Sequence, residues 1–184
     1  MPLQSVCVFL ASAAGKRPES LAAARAAGAA IAARKLALVY GGAAVGTMGA
    51  LADAAVAAGG HTVGVIPVGM VDRELAHKGL SELHVVADMH ARKALMFARA
   101  DGFLVLPGGY GTLEEIFEVL TGVYIGLHAK PVAFVDIAGY YAPLAAFLDH
   151  AVAEGLIRPQ ARAVARFHGS IDAALDDLAA RVDG

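Results

Sequence analysis

Short apolar runs alternate with longer stretches of helical periodicity along almost the whole of this chain, and that alternation limits the folds open to it more than any other feature. Residues 6–10, 36–40, 62–66, 83–87, 102–106 and 132–135 read as strands. They are apolar along their length rather than at every second position, which is the pattern of strands buried on both faces. Between them lie segments of helical spacing at 21–33, 46–58, 89–99, 113–124 and 141–153, with a last helix over 171–182. Residues 161–167 add a candidate edge strand, and 68–81, of mixed charge, read as a loop or short helix. Strand and helix in alternation predict an α/β fold with a mainly parallel sheet of about six or seven strands, covered on both faces. No linker or internal repeat divides the pattern, so one domain over 1–184 is expected.

Ligands of such sheets bind beyond the carboxyl ends of the strands, so the turns there carry the functional information. Four turns should meet at that edge: Ala11-Ser12-Ala13-Ala14-Gly15, the run from Gly41 to Gly49, Met89-His90-Ala91-Arg92-Lys93, and Pro107-Gly108-Gly109-Tyr110-Gly111-Thr112-Leu113-Glu114-Glu115. The last is the most specific. Its three glycines let backbone approach a ligand without Cβ atoms in the way. The first N–H groups of the helix that follows have no internal partners and sit at its positive end, an arrangement suited to phosphate. Ser12, Gly42, Gly46 and Gly108 are candidate phosphate contacts, and Glu115 sets a carboxylate one turn further on.

Plainer readings stand beside these. Thr112 and Glu115 also fit a capping box, in which the threonine caps the helix and the glutamate reaches back. Gly41-Gly42 reads equally as a tight turn, Gly49 as a place of close packing, and Arg92 and Lys93 as solvated charges. Several chemistries are excluded. The seven histidines show no metal-binding spacing. Ser12 lacks a G-x-S-x-G context, no P-loop run occurs, and Gly42, Gly46 and Gly49 do not make G-x-G-x-x-G.

The formal net charge of −2, with 58% apolar and 17% charged residues, argues against disorder and gives no general electrostatic reason to bind nucleic acid or an anionic membrane. The single cysteine, Cys7, sits in an apolar run and reads as a core residue of a protein in a reducing compartment. No signal-peptide pattern and no apolar stretch of about 20 residues is seen. A cytoplasmic protein without membrane or nucleic-acid partners is expected.

The Pro107–Glu115 run, together with Met89-His90-Ala91-Arg92-Lys93, resembles the LOG ("lonely guy") family of cytokinin riboside 5′-monophosphate phosphoribohydrolases. The likeness runs from about Val6 to Arg158 and includes Leu38-Val39-Tyr40-Gly41-Gly42, Val63-Gly64-Val65-Ile66-Pro67, Lys130-Pro131-Val132 and Gly139-Tyr140-Tyr141. The resemblance implies a Rossmann-like three-layer sandwich that binds a nucleotide, and an assembly of at least two subunits with the site near their interface. It implies catalytic roles for Arg92 and Glu115. It implies substrate contacts for Glu74, Arg92, Lys93, Gly109, Tyr110, Gly111, Thr112, Leu113, Glu114 and Thr121. No cofactor or metal is implied, and the lysine decarboxylase label often given to such proteins finds no pyridoxal phosphate site here. Three positions depart from the family pattern: Leu10-Ala11-Ser12 stands for Cys-Gly-Ser, Gly41-Gly42-Ala43 for three glycines, and Thr121-Gly122 for Thr-Trp.

The implied reaction is hydrolysis of the N-glycosidic bond of a nucleoside 5′-monophosphate to free base and ribose 5-phosphate, through a sugar with oxocarbenium character. A carboxylate stabilises that charge; a guanidinium, which stays protonated near neutral pH, orients or donates rather than acting as an acid. Two alternatives remain at this point: a broader purine nucleotide nucleosidase, and a non-catalytic nucleotide or cofactor carrier on the same fold.

Overall fold

The computed structural model of the protein describes residues 2–71 and 76–182. Seven strands, β1 (Ser5–Phe9), β2 (Ala37–Tyr40), β3 (Thr62–Pro67), β4 (Glu82–Val86), β5 (Gly102–Val105), β6 (Val132–Val135) and β7 (Ala165–His168), form one sheet in the order β4-β3-β2-β1-β5-β6-β7. Every pairing is parallel. The helices are α1 (Pro18–Ala33), α2 (Gly46–Ala57), α3 (Met89–Ala98), α4 (Tyr110–Tyr124), α5 (Ala142–Ala153), the short α6 (Pro159–Arg162) and α7 (Ile171–Val182).

The pleat divides the core in two. Val6 and Val8 of β1 point to the layer of α1, α2 and α7; Cys7 and Phe9 point to the layer of α3, α4 and α5. The alanines of α1 and α2 have a packing reason: Ala24, Ala27, Gly28 and Ile31 are buried along α1, and Leu51, Ala52 and Ala55 along α2, so two thin helices lie close together. On the other face Phe103 stacks between Phe9 and Phe97, with ring centroids at 5.6 and 5.7 Å. Truncating a buried ring of this kind to alanine costs ~3–5 kcal/mol.

The expected α/β fold and parallel sheet are therefore what the chain forms, with two local differences. Only Ala165–His168 of the 161–167 segment pairs with β6. The residues before it form α6, because Pro159 at a first helical position presets the helical φ and loses no needed donor. Among the described residues of the 68–81 segment, a 3₁₀ turn, Val68–Met70, precedes β4.

The strand order places the site. From β1 the chain winds outward through β2, β3 and β4, then returns across β1 to β5 and winds the other way. The reversal lies between β1 and β5, and there the loops leaving the two strands part and open a crevice. Their bases remain joined: Leu106 N–H donates to the Phe9 carbonyl at 3.0 Å and Ala11 N–H to the Pro107 carbonyl at 3.3 Å.

Candidate active site at the switch point

A cavity of about 350 Å³ opens at this crevice. Leu10, Ala11, Ser12 and Ala13 form one wall, and Gly109, Tyr110, Gly111 and Thr112 another. Met48, Met70 and Met89 supply apolar surface, and Arg92, Glu114 and Glu115 line it as charged groups. All four turns singled out in the sequence thus contribute.

Helix α4 starts at Tyr110, with Gly109 as its N-cap and no side chain capping it. Leu113 N–H is the donor to the Gly109 carbonyl, at 3.0 Å. The preceding N–H groups of the first turn have no helical acceptor and stand at the positive end of a 15-residue helix. This start also decides between the two readings of Thr112 and Glu115. Neither is at a capping position; both lie inside the helix and are buried. The capping box does not form, because the glycines start the helix three residues earlier than a Thr112 cap would.

Two tyrosines brace the turn from behind: Tyr140 donates its hydroxyl to the Gly108 carbonyl and Tyr141 to the Leu106 carbonyl, each at 2.7 Å. Burial raises the Tyr141 phenol well above its ordinary pKa, so it stays a donor. The sequence shows these tyrosines only as a pattern; nothing in it reveals that they reach across from the β6 side.

Arg92, on the first turns of α3, is 3% exposed. Its Nε donates to the Val65 carbonyl at 3.1 Å and one terminal nitrogen to the Gly41 carbonyl at 2.9 Å. The guanidinium is therefore held by the ends of β3 and β2, not solvated. Glu115 is 8% exposed and lines the cavity with it. Cys7 lies beneath: burial pushes its thiol pKa up, the Glu115 charge adds to that, and Arg92 and Lys130 oppose it. The opposite charges of Glu115 and Arg92 thus both act on the thiol in the sheet beneath the cavity.

The other expected residues divide. Ser12, Gly109, Tyr110, Gly111, Thr112 and Glu114 line the cavity, and Gly108 lines a smaller adjoining one of about 130 Å³. Lys93 turns away from it. Its ammonium pairs with Glu114, and with Glu118 at 2.6 Å; hydrogen bonds to these carboxylates, Glu114 first, raise its pKa. Leu113 packs on the core under α4. Thr121, whose hydroxyl bonds to the Phe117 carbonyl at 2.7 Å, lies further down α4, and Gly42 and Gly46 are outside the lining. Glu74 lies outside the described residues. Nothing in the sequence singles out Met70, whose segment reads as a loop or short helix.

Glu115 also borders a second cavity of about 350 Å³ between α3 and α4, with Phe9, Phe97, Val119 and Gly122 in its walls. Gly122 has a specific neighbour there. A Cβ on it would meet His128 Nε2 at 2.6 Å, so the His128 ring occupies the space above this residue, edge-on to Phe97 at 4.8 Å.

Among the described residues no group of three or more His, Cys, Asp or Glu side chains is placed to hold a metal ion, and no helix is long and apolar enough to cross a membrane. Among the described residues no lysine lines the strand-end cavity.

The fold and site define a Rossmann-like α/β protein with a charged, glycine-walled cavity at its switch point. Residues 48–178 match the family model described as "Possible lysine decarboxylase". The cytokinin riboside 5′-monophosphate phosphoribohydrolase of Rhodococcoides fascians is 51% identical over 160 residues, 86% of this chain and 81% of that protein. The cytokinin riboside 5′-monophosphate phosphoribohydrolase LOG7 of Arabidopsis thaliana is 46% identical over 159 residues, 86% of this chain and 73% of that protein. The chain belongs to this LOG family. Among solved structures, the Moco carrier protein of Chlamydomonas reinhardtii has the same fold, with a TM-score of 0.73 and 20% identity over 97% of this chain and 98% of that one.

Proposed function

We propose that the protein hydrolyses the N-glycosidic bond of a nucleoside 5′-monophosphate, releasing free base and ribose 5-phosphate. The observation that carries this reading is the burial of Arg92 and Glu115 in one cavity, beside an uncapped helix start. The family relatives support it through their names.

In this mechanism the phosphate lies against the first turn of α4, where unpartnered N–H groups and the helix dipole favour an anion. That contact, remote from the bond that breaks, orients the sugar. As the C1′–N bond lengthens, its electron pair leaves with the base and positive charge grows on the ribose. Glu115 faces that charge. A water adds its oxygen to C1′; one of its protons stays on the new C1 hydroxyl and the other passes to the departing base. Arg92, fixed by two carbonyls, keeps its charge and donates to substrate or orients the carboxylate. Glu115 is itself largely buried, and a fixed charge so placed acts more strongly than one in solution.

The carrier reading is not favoured. It leaves a buried carboxylate beside an anion site without a task, whereas the hydrolase uses it. The protein is further proposed to be cytoplasmic and to work as an assembly of at least two subunits. Exposed Phe117, Tyr124, Ile125 and Leu127 on and after α4 support the assembly. Light scattering at micromolar concentration should return at least twice the monomer mass.

The deciding experiment incubates the purified protein with adenosine, AMP, ATP and N6-isopentenyl-AMP and detects free base. Release from a monophosphate, with little from the nucleoside at equal concentration, is expected. Equal turnover of nucleoside and monophosphate removes the phosphate assignment, and no release from any nucleotide removes the hydrolase. The ratio of the two monophosphates separates the cytokinin substrate from a general purine nucleotide.

A further inference from the structure

His77 is polar and almost buried, with only 9% of its surface exposed, yet it lines no part of the cavity. Its bonds explain the burial. Nδ1 accepts the Gly79 N–H at 3.0 Å, so the ring proton sits on Nε2, which faces Asp53 Oδ1 of α2 at 3.0 Å. The imidazole is thus neutral, in one tautomer, with both nitrogens used. The backbone N–H of His77 donates to the Gly42 carbonyl at 3.0 Å, next to the Ala43–Ala76 bridge.

These bonds rivet the returning end of the β3–β4 connection to the turn after β2. The outgoing end is tied to the same point, because Ala76 N–H donates to the Val71 carbonyl at 3.1 Å. Met70, which lines the cavity, is the residue before Val71. On the other side of the rivet, Gly41 holds the Arg92 guanidinium. One two-glycine turn therefore fixes both the methionine wall and the arginine: Gly41 through its carbonyl to Arg92, Gly42 through its carbonyl to His77.

We propose that His77, with Asp53 as its partner, is a positioning residue that holds the Met70 wall in register with Arg92 and so sets affinity for the nucleotide rather than the rate of bond cleavage. The inference rests on the hydrolase reading for its kinetic readout alone. His77 touches the wall through backbone and does not reach the reacting atoms. Loosening it frees one wall while Arg92, Glu115 and the α4 turn keep their own supports.

The test uses the full chain and two sets of variants. Asp53 is 74% exposed, so Asp53→Ala removes the anchor without touching the core. It should raise KM for the monophosphate at least about fivefold and leave kcat within about twofold, as expected when a binding wall loses its register and the reacting groups do not. Asp53→Asn keeps an acceptor oxygen for Nε2–H and should restore KM. His77→Phe should raise KM further, and His77→Gln, which retains a donor at the Nε2 end, should recover part of it. A readout independent of turnover is the rate of tryptic cleavage after Arg73, which lies between Val71 and Ala76 in the sequence. It should rise in Asp53→Ala and His77→Phe and return toward the parent rate in Asp53→Asn.

Unchanged KM and unchanged cleavage in Asp53→Ala overturn the proposal, as does a loss of kcat at constant KM. Should the parent protein release no base from any nucleotide, the hydrolase reading fails, while faster cleavage in Asp53→Ala with recovery in Asp53→Asn still supports the rivet. Misfolding of His77→Phe leaves the Asp53 pair to decide.

Discussion

Arg92 donates to the carbonyl of Gly41 at 2.9 Å, and the approach is so close that a Cβ on Gly41 would stand 1.9 Å from that nitrogen. The glycine is therefore a requirement of the arginine's position. A side chain there would drive the guanidinium out of its berth between β2 and β3.

Gly41→Ala should for this reason cut kcat at least about tenfold, since a small misplacement of a fixed charge weakens what it does for the transition state. Gly169→Ala is the control, because a Cβ there meets nothing within 4 Å. Steady-state turnover of a nucleoside 5′-monophosphate, with a thermal melt beside it, measures both. Equal activity of the two variants would remove the positional role of Gly41.

Glu115→Gln keeps size and removes charge. Glu115 lies inside α4 and not at its N-cap, which is Gly109. The expected loss in kcat is at least about 100-fold, roughly 2.7 kcal/mol of barrier, with little change in melting temperature. Arg92→Ala should also lose activity. The double variant should be little worse than the worse single one, because the two groups act as a unit. Glu114 also lines the cavity but is paired with Lys93, and Glu114→Gln should have a smaller effect. Near-normal turnover by a folded Glu115→Gln protein would end the assignment.

Gly122 and His128 should be coupled. Alanine in place of a helical glycine gains about 1 kcal/mol of propensity, but here the new Cβ displaces the His128 ring and its edge contact with Phe97, worth ~0.5–1.5 kcal/mol. Gly122→Ala alone should be close to neutral. In a His128→Ala background the same change should stabilise by about 1 kcal/mol. Denaturant titration of the four proteins reads the interaction term; additivity within about 0.3 kcal/mol would show that the ring does not need the glycine.

At the opposite end of the sheet, Glu82 accepts from His84 at 2.8 Å, His61 at 3.1 Å and Arg99 at 3.1 Å. These bonds, His84 first, bring its pKa down to about 2. A carboxylate whose pKa falls on folding contributes stability that is fully present above its unfolded pKa, near ~4.3. That contribution is lost as pH drops toward about 2. The parent protein should therefore melt above Glu82→Gln at pH 6, and the gap should close between about pH 4 and pH 2. Glu82 and its partners are partly exposed to solvent, so the gap should be small and shrink further in salt. A gap that is constant with pH would contradict the assignment.

Much of this was legible in the chain. All-apolar runs such as Leu104-Val105-Leu106 gave the parallel sheet, because only a strand covered on both faces is apolar throughout. The glycines from Gly108 to Gly111 marked a turn that walls the cavity, because little else needs so many residues without a Cβ. Periodicity could not separate α6 from β7 within 161–167, since so short a segment carries less than one reliable period.

Local sequence determined which segments become strands and helices, where the glycine turn falls, and that an arginine and a glutamate stand at the strand ends. Tertiary structure decided what those groups face. That Arg92 is held by Gly41 and Val65, that Lys93 turns to Glu114 and Glu118, and that His128 fills the space over Gly122 are contacts across turns and helices far apart in the chain. Propensity and spacing act over a few residues, whereas these partners are chosen by the strand order and by how closely the layers pack, which exist only once the sheet is assembled.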